Sequence, residues 1–181
     1  MSRSVAIDEY ISKVVSISNA FDHDEITSVC DVVARIKRHE GTVFVFGNGG
    51  SSGIASHFAT DIAKTCSVRA LNLVDSGLLT CLANDFGFEN WIAESIKRLA
   101  QPKDVIFLIS SSGESLNMIN GAKYAASNGI EVITLSGFES SNRLSKLGRI
   151  NIWVDSQNYN VVETTHLMFL LSVIEALRGE C

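Results

Sequence analysis

From residue 42 onward the chain alternates short, continuously apolar runs with longer segments whose apolar residues recur at helical spacing. The runs at 42–46, 69–74, 104–109, 130–135 and 150–154 read as strands, and the stretches at 51–65, 77–83, 88–100, 114–128 and 161–178 as helices. Strands that are apolar throughout must be buried on both faces. The pattern therefore predicts an α/β fold, a doubly wound, five-stranded parallel sheet flanked by helices. Ahead of the sheet, Val5, Tyr10, Ile11, Val14, Val15 and Ile17 keep helical spacing, and Ile26, Val29, Val32, Val33 and Ile36 form the stripe of a second helix that Asp22 or Asp24 can cap. These two helices read as packing or oligomerisation elements. No Pro/Gly/Ser-rich linker, repeat or low-complexity tract divides the chain, and the lone Pro102 precedes a strand. One domain over 1–181 is expected, with 1–40 as oligomerisation helices and 41–181 as the α/β core and final helix.

Composition narrows the class of function. A chain of 181 residues, 46% of them hydrophobic, is long and apolar enough for a real core. Its net charge of −5, without a lysine–arginine stripe, argues against direct nucleic-acid binding. Cys30, Cys66, Cys81 and Cys181 are scattered with no C-x-x-C pair, and the N-terminal residues lack a signal-peptide apolar core, so the reducing cytoplasm is expected. The longest strongly apolar stretch, 167–174, is interrupted by Ser172. It falls far short of the ~20 residues that span a bilayer, and no membrane role is expected.

The candidate chemistry lies at two strand-to-helix junctions. Residues 44–52, Phe-Val-Phe-Gly-Asn-Gly-Gly-Ser-Ser, run an apolar strand into a glycine-rich turn with two hydroxyls, and residues 105–115 pass from a strand into Ser-Ser-Ser-Gly-Glu-Ser. Glycines allow close backbone approach, and the first N–H groups of the following helix lack intrahelical partners, so each junction suits an anion. Both fall at carboxyl ends of strands, where ligands of such sheets bind. The first turn has no lysine and so is not a P-loop, and Ser52 stands where a dinucleotide G-x-G-x-x-G needs its third glycine. A phosphorylated small molecule is expected, with no nucleotide cofactor.

The segments Phe46-Gly-Asn-Gly-Gly-Ser51, His57-Phe-Ala-Thr-Asp61, Asn84-Asp-Phe-Gly-Phe88, Ile109-Ser-Ser-Ser-Gly-Glu-Ser115, Val132-Ile-Thr-Leu-Ser-Gly137 and Val162-Glu-Thr-Thr-His-Leu167 stand in the order and spacing of the phosphoheptose isomerases. Over nearly its whole length the chain resembles this subfamily of sugar isomerase (SIS) domain proteins, which convert sedoheptulose 7-phosphate to a glycero-manno-heptose 7-phosphate for bacterial surface polysaccharide. The resemblance implies a homotetramer with active sites at subunit interfaces. It implies a phosphate cradle at Ser110, Ser111, Ser112 and Ser115, a sugar-side wall at Asn48, Gly49, Gly50 and Ser51, and a substrate contact from Asp85. Read without the resemblance, Asn84 and Asp85 suit a helix-terminating Asx turn.

Aldose–ketose isomerisation needs a base, an acid partner and stabilisation of oxyanion charge. The resemblance assigns these to a quartet that binds zinc in some members, and it places His57 and Asp61 in that quartet, four residues apart on one helix face. Asp61 replaces the family's glutamate, Glu163 its glutamine and Leu171 its catalytic histidine. His166, which the family shares, lies about 140° round the helix from position 171 and cannot take its place. It reads as a partly buried interface histidine. His57, Asp61 and Glu163 together offer one nitrogen and two carboxylates, a ligand set for Zn2+ or a similar ion. Without a metal, Asp61 or Glu163 is the base and His57 its partner. The alternative implied by Leu171 is a non-catalytic SIS protein that binds sugar phosphates, of the kind that associates with the bacterial replication initiator.

Overall fold

The computed structural model of the chain describes residues 2–179. Two helices, α1 (Arg3–Asn19) and α2 (His23–Arg38), precede β1 (Thr42–Gly47), α3 (Gly50–Cys66), β2 (Arg69–Leu71), α4 (Ser76–Phe86), α5 (Trp91–Leu99), β3 (Val105–Ser110), α6 (Leu116–Ser127), β4 (Glu131–Ser136), β5 (Ile150–Trp153) and α7 (Tyr159–Arg178). The sheet runs β2-β1-β3-β4-β5, every pairing parallel.

The continuous apolar runs follow from burial on both faces. Along β1, Val43 and Val45 enter one core with α2, α3 and α7, while Phe44 and Phe46 enter the other with α4, α5 and α6. Along β3, Val105, Phe107 and Ile109 take the first side, and Ile106 and Leu108 the second. The chain leaves β1 for β2 on one side and for β3 on the other, so strand order reverses between β1 and β3. A crevice opens at their carboxyl ends at such a point, and both glycine- and serine-rich turns lie there.

Several boundaries differ from the sequence reading. The run at 69–74 pairs only over Arg69–Leu71, on the sheet edge, and Asn72 turns its amide to the Ser52 carbonyl at 3.2 Å. Helix α4 extends to Phe86, so Asn84 and Asp85 occupy its last turn, and Gly87 at φ +84° breaks the chain before α5. A 3-10 turn at Leu144–Lys146 was not predicted. The capping choice resolves to Asp22, whose carboxylate accepts from Asp24 N at 2.8 Å.

Helix α7 has 20 residues and, by length and mean hydropathy (1.3), is apolar enough to cross a membrane. Here Phe169, Leu170, Val173 and Ile174 are its core face, packed with α2 and α3. Helix α1, whose buried residue is Val14, rests on α7 through a 2.7 Å bond between Tyr10 Oη and Thr164 Oγ1 and a bond from Ser18 Oγ to Met168 Sδ. Ile7, Ile11 and Val15, spaced four apart, leave an apolar row on α1 exposed.

Candidate active site

The first turn is built by close approach. A side chain at Gly47 would overlap the Ser51 carbonyl, and Gly49 sits at φ +52°, ψ −122°, a conformation for glycine. These two positions fold β1 tightly onto the start of α3 and bury Ser51. In the second turn Gly113, at φ +66°, donates to the Ser110 carbonyl at 2.9 Å, and Asn142 packs against its bare Cα. A reciprocal amide pair joins the turns: Asn48 Nδ2 donates to Asn117 Oδ1 at 3.0 Å, and Asn117 Nδ2 to Asn48 Oδ1 at 2.9 Å.

Between the turns lies a recess lined by Asn48, Ser51 and the serines at 110, 111, 112 and 115, closed by Tyr159 and Glu163 from α7. Its donors are not all used. Neither α3 nor α6 has a side-chain N-cap bond, so helix N–H groups remain open at both turns. Ser111 Oγ is buried with no partner, and Ser112 N–H has no acceptor among the described residues. Ser110 Oγ donates to Ser115 Oγ at 3.2 Å, and Ser112 Oγ accepts from Glu114 N at 3.2 Å. The loop is pinned from outside by Arg143, whose backbone N–H donates to Glu114 Oε1 at 2.9 Å and whose guanidinium pairs with Oε2. These bonds hold the Glu114 carboxyl below the usual carboxylate range. No lysine or arginine lines the recess, so an anion there would be held by N–H and O–H groups and helix N-termini.

An unpartnered buried hydroxyl costs its desolvation in the empty protein and is available to a ligand. Ser111→Ala is therefore expected to maintain or raise the melting temperature while weakening phosphate-ester binding about five- to tenfold, the worth of one hydrogen bond. Isothermal titration alongside thermal unfolding reads both; a large loss of stability would contradict the assignment.

Glu163 reaches the recess from α7 and sets its carboxylate over the Cα of Gly50, where a β-carbon would collide with it. Burial raises its pKa above the ordinary value. His57 Nε2 and Asp61 Oδ2 lie 3.0 Å apart one turn apart on α3, with side chains 47% and 36% exposed, and neither lines the recess. Seven residues separate Gly50 from His57, which puts His57 on the same helix face roughly 10 Å further along. That spacing explains why no three His, Cys, Asp or Glu side chains gather as a metal-binding group among the described residues. The ligand set His57, Asp61 and Glu163 does not come together within the described chain.

Asp85 is exposed, accepts from Asn84 Nδ2 at 2.9 Å and lies outside the recess. His166 is fully buried, not partly buried at a surface, because α7 turns it inward to the Ser136 carbonyl 3.0 Å away. Leu171 packs against the α2–α3–α7 core. Three residues escaped the sequence reading. Asn117 and Asn142 are polar positions with no motif around them, and Tyr159, stacked edge-on to Phe138 at 4.8 Å, reads in the sequence only as the start of a helix. The recess holds about 100 Å3, against roughly 300–1,000 Å3 for pockets that enclose a small molecule. It suits the phosphate end of a ligand.

Comparison with known proteins places this geometry. The SIS domain family model matches residues 9–137. The phosphoheptose isomerase of Helicobacter hepaticus is 31% identical over 163 residues, covering 86% of this chain and 82% of that protein. In fold, the chain superposes on a phosphoheptose isomerase from Francisella tularensis with a TM-score of 0.90 at 22% identity, covering 99% of this chain and 100% of that one. It superposes on the phosphoheptose isomerase from Neisseria gonorrhoeae with a TM-score of 0.88 at 23% identity, covering 97% and 96%.

Proposed function

The chain belongs to the SIS-domain family and, within it, to the phosphoheptose isomerases, and from that premise we propose that this phosphosugar isomerase converts sedoheptulose 7-phosphate to a glycero-manno-heptose 7-phosphate in the cytoplasm, for surface polysaccharide. The observation that carries the reading is the uncapped, cation-free recess between the β1 and β3 turns with a carboxylate of raised pKa at its rim. The 7-phosphate occupies the recess against Ser110, Ser111, Ser112 and Ser115. The sugar chain then leaves the recess past its rim, so that C1 and C2 lie between the Glu163 carboxylate and the face of α3 that carries His57 and Asp61.

In the reaction a base removes a proton from C1 of the ketose while the C2 oxygen takes one from an acid, giving the enediol. The O1 proton then leaves as C2 receives a proton, and the aldose forms with no change in overall oxidation state. Glu163 is the base, since its raised pKa brings it toward the neutral range where general bases work best. His57, held by Asp61, exchanges protons with the sugar oxygens. No step is routed through zinc, because His57, Asp61 and Glu163 do not converge on one point in the protomer.

The active unit is a homotetramer with sites completed at subunit interfaces. The exposed row Ile7, Ile11 and Val15 supports this, as does a recess too small for a whole heptose phosphate. Ile11→Glu is expected to lower the assembled mass measured by light scattering, and an unchanged mass would remove α1 from the interface. The substrate assignment is tested with a panel of ketose phosphates, with chelator and with zinc returned. Sedoheptulose 7-phosphate is expected to give the highest kcat/KM, lost in His57→Ala and Asp61→Asn; equal turnover by those variants would refute the roles given to the pair.

A further inference from the structure

His166 is fully buried on α7, outside the recess and untouched by the chemistry above. Its Nε2 lies 3.0 Å from the Ser136 carbonyl oxygen. A carbonyl only accepts, so Nε2 carries the proton and the unpartnered Nδ1 is bare. Burial lowers its pKa to about 4, in keeping with a neutral ring at physiological pH.

The Ser136 carbonyl belongs to the same peptide unit as the Gly137 N–H, which donates to the Ser111 carbonyl at 2.9 Å. The Ser111 carbonyl in turn shares its peptide unit with the Ser112 N–H, the donor at the recess that lacks an acceptor. The 136–137 peptide has little freedom. Its carbonyl also accepts from Val154 N at 2.9 Å, and a side chain on Gly137 would press on Val162 of α7 and on the Ser111 carbonyl. Hydrogen-bonded peptides aligned head to tail polarise one another.

We infer that His166 is a positioning residue for phosphate binding: a buried neutral donor that, through the 136–137 and 111–112 peptides, fixes and polarises the Ser112 N–H. The inference rests on the recess being the phosphate site. A histidine that merely filled the core would be replaced by leucine without effect on ligand affinity.

The test compares His166→Leu and His166→Gln in kinetics with sedoheptulose 7-phosphate and in titration with inorganic phosphate, and follows the wild-type His166 ring by 15N NMR. His166→Leu is expected to raise KM and the phosphate Kd about tenfold, the worth of one hydrogen bond, with kcat within about twofold. His166→Gln, whose amide donates, is expected to recover most of the loss. In the wild type, the Nε2 resonance is expected to shift on saturation with phosphate. Should the leucine variant not fold, the glutamine variant and the wild-type resonance still decide. Wild-type turnover with KM unchanged in the variants and an unmoved Nε2 resonance overturns this inference alone. A phosphate-induced shift without turnover of any phosphosugar upholds it and overturns the proposed reaction.

Discussion

Glu163→Gln is expected to lower kcat on sedoheptulose 7-phosphate by about 10²–10⁴-fold, the usual contribution of a general acid–base group. The change restores the residue type that the resemblance assigns to this position and is nearly isosteric, so the recess keeps its shape. What it removes is the ability to take up a proton. With Leu171 packed into the core, the turn of α7 beyond Glu163 supplies no other titratable group to the recess. The same substitution has a second signature. A carboxyl whose folded pKa is raised binds more protons in the native state, so wild-type stability falls as pH rises from the ordinary carboxylate pKa through the raised one, and the deficit is complete above it. Glu163→Gln carries no such deficit. It is expected to melt higher than the wild type at pH 7 and alike at pH 4, while the acid limb of the wild-type pH–rate profile lies above the usual carboxylate range. Calorimetry at the two pH values and a kcat profile read both. Full activity in the variant would strip Glu163 of its role as base.

Gly113→Ala is expected to destabilise the protein by about 3 kcal/mol, a large single-site effect, and to abolish measurable phosphate binding. Two costs combine. At φ +66° a β-carbon is strained whatever space surrounds it, and here it would overlap the Asn142 carboxamide. Asn142 cannot step aside freely: its Nδ2 donates to Ser136 Oγ, the Gly137 carbonyl and the Glu139 carbonyl, and its Oδ1 accepts from Ser145 N. Displacing it loosens Ser136 and Gly137, the residues on either side of the peptide that braces Ser111. The melting temperature is expected to fall by roughly 10 °C for a chain of this length. A variant that binds phosphate normally would show that the turn tolerates rearrangement and that the backbone is not the grip.

The fold was legible because parallel strands buried on both sides leave a plain signature, and Val43 to Phe46 and Val105 to Ile109 send alternate residues into two cores. Helix ends were less so. Asn84 and Asp85 suit a helix-terminating Asx turn, so an end at 83 was expected, but α4 runs on to Phe86 and stops at Gly87, taking Asn84 and Asp85 into its last turn. The recess was visible as glycines and hydroxyls at the ends of two strands, since close approach and open N–H groups demand those residue types. Its bracing was not visible. Asn48 pairs with Asn117 across 69 residues, and Asn142 meets Gly113 only after β4 has been laid beside β3. Nor does spacing along α7 tell that His166 turns inward: a helical residue three positions after Glu163 faces a different neighbour, and only packing says which.

The claim that this recess supports chemistry with Leu171 in place of the histidine that the resemblance assigns is tested most directly by incubating the wild-type enzyme with sedoheptulose 7-phosphate in D2O and following the C1 and C2 protons by NMR. Removal of a C1 proton by a carboxylate that exchanges with solvent predicts deuterium entering the sugar as the aldose appears, at a rate that collapses in Glu163→Gln. Saturable binding of the sugar phosphate with no deuterium in either sugar would contradict the account and leave a protein that grips the phosphate without moving the proton.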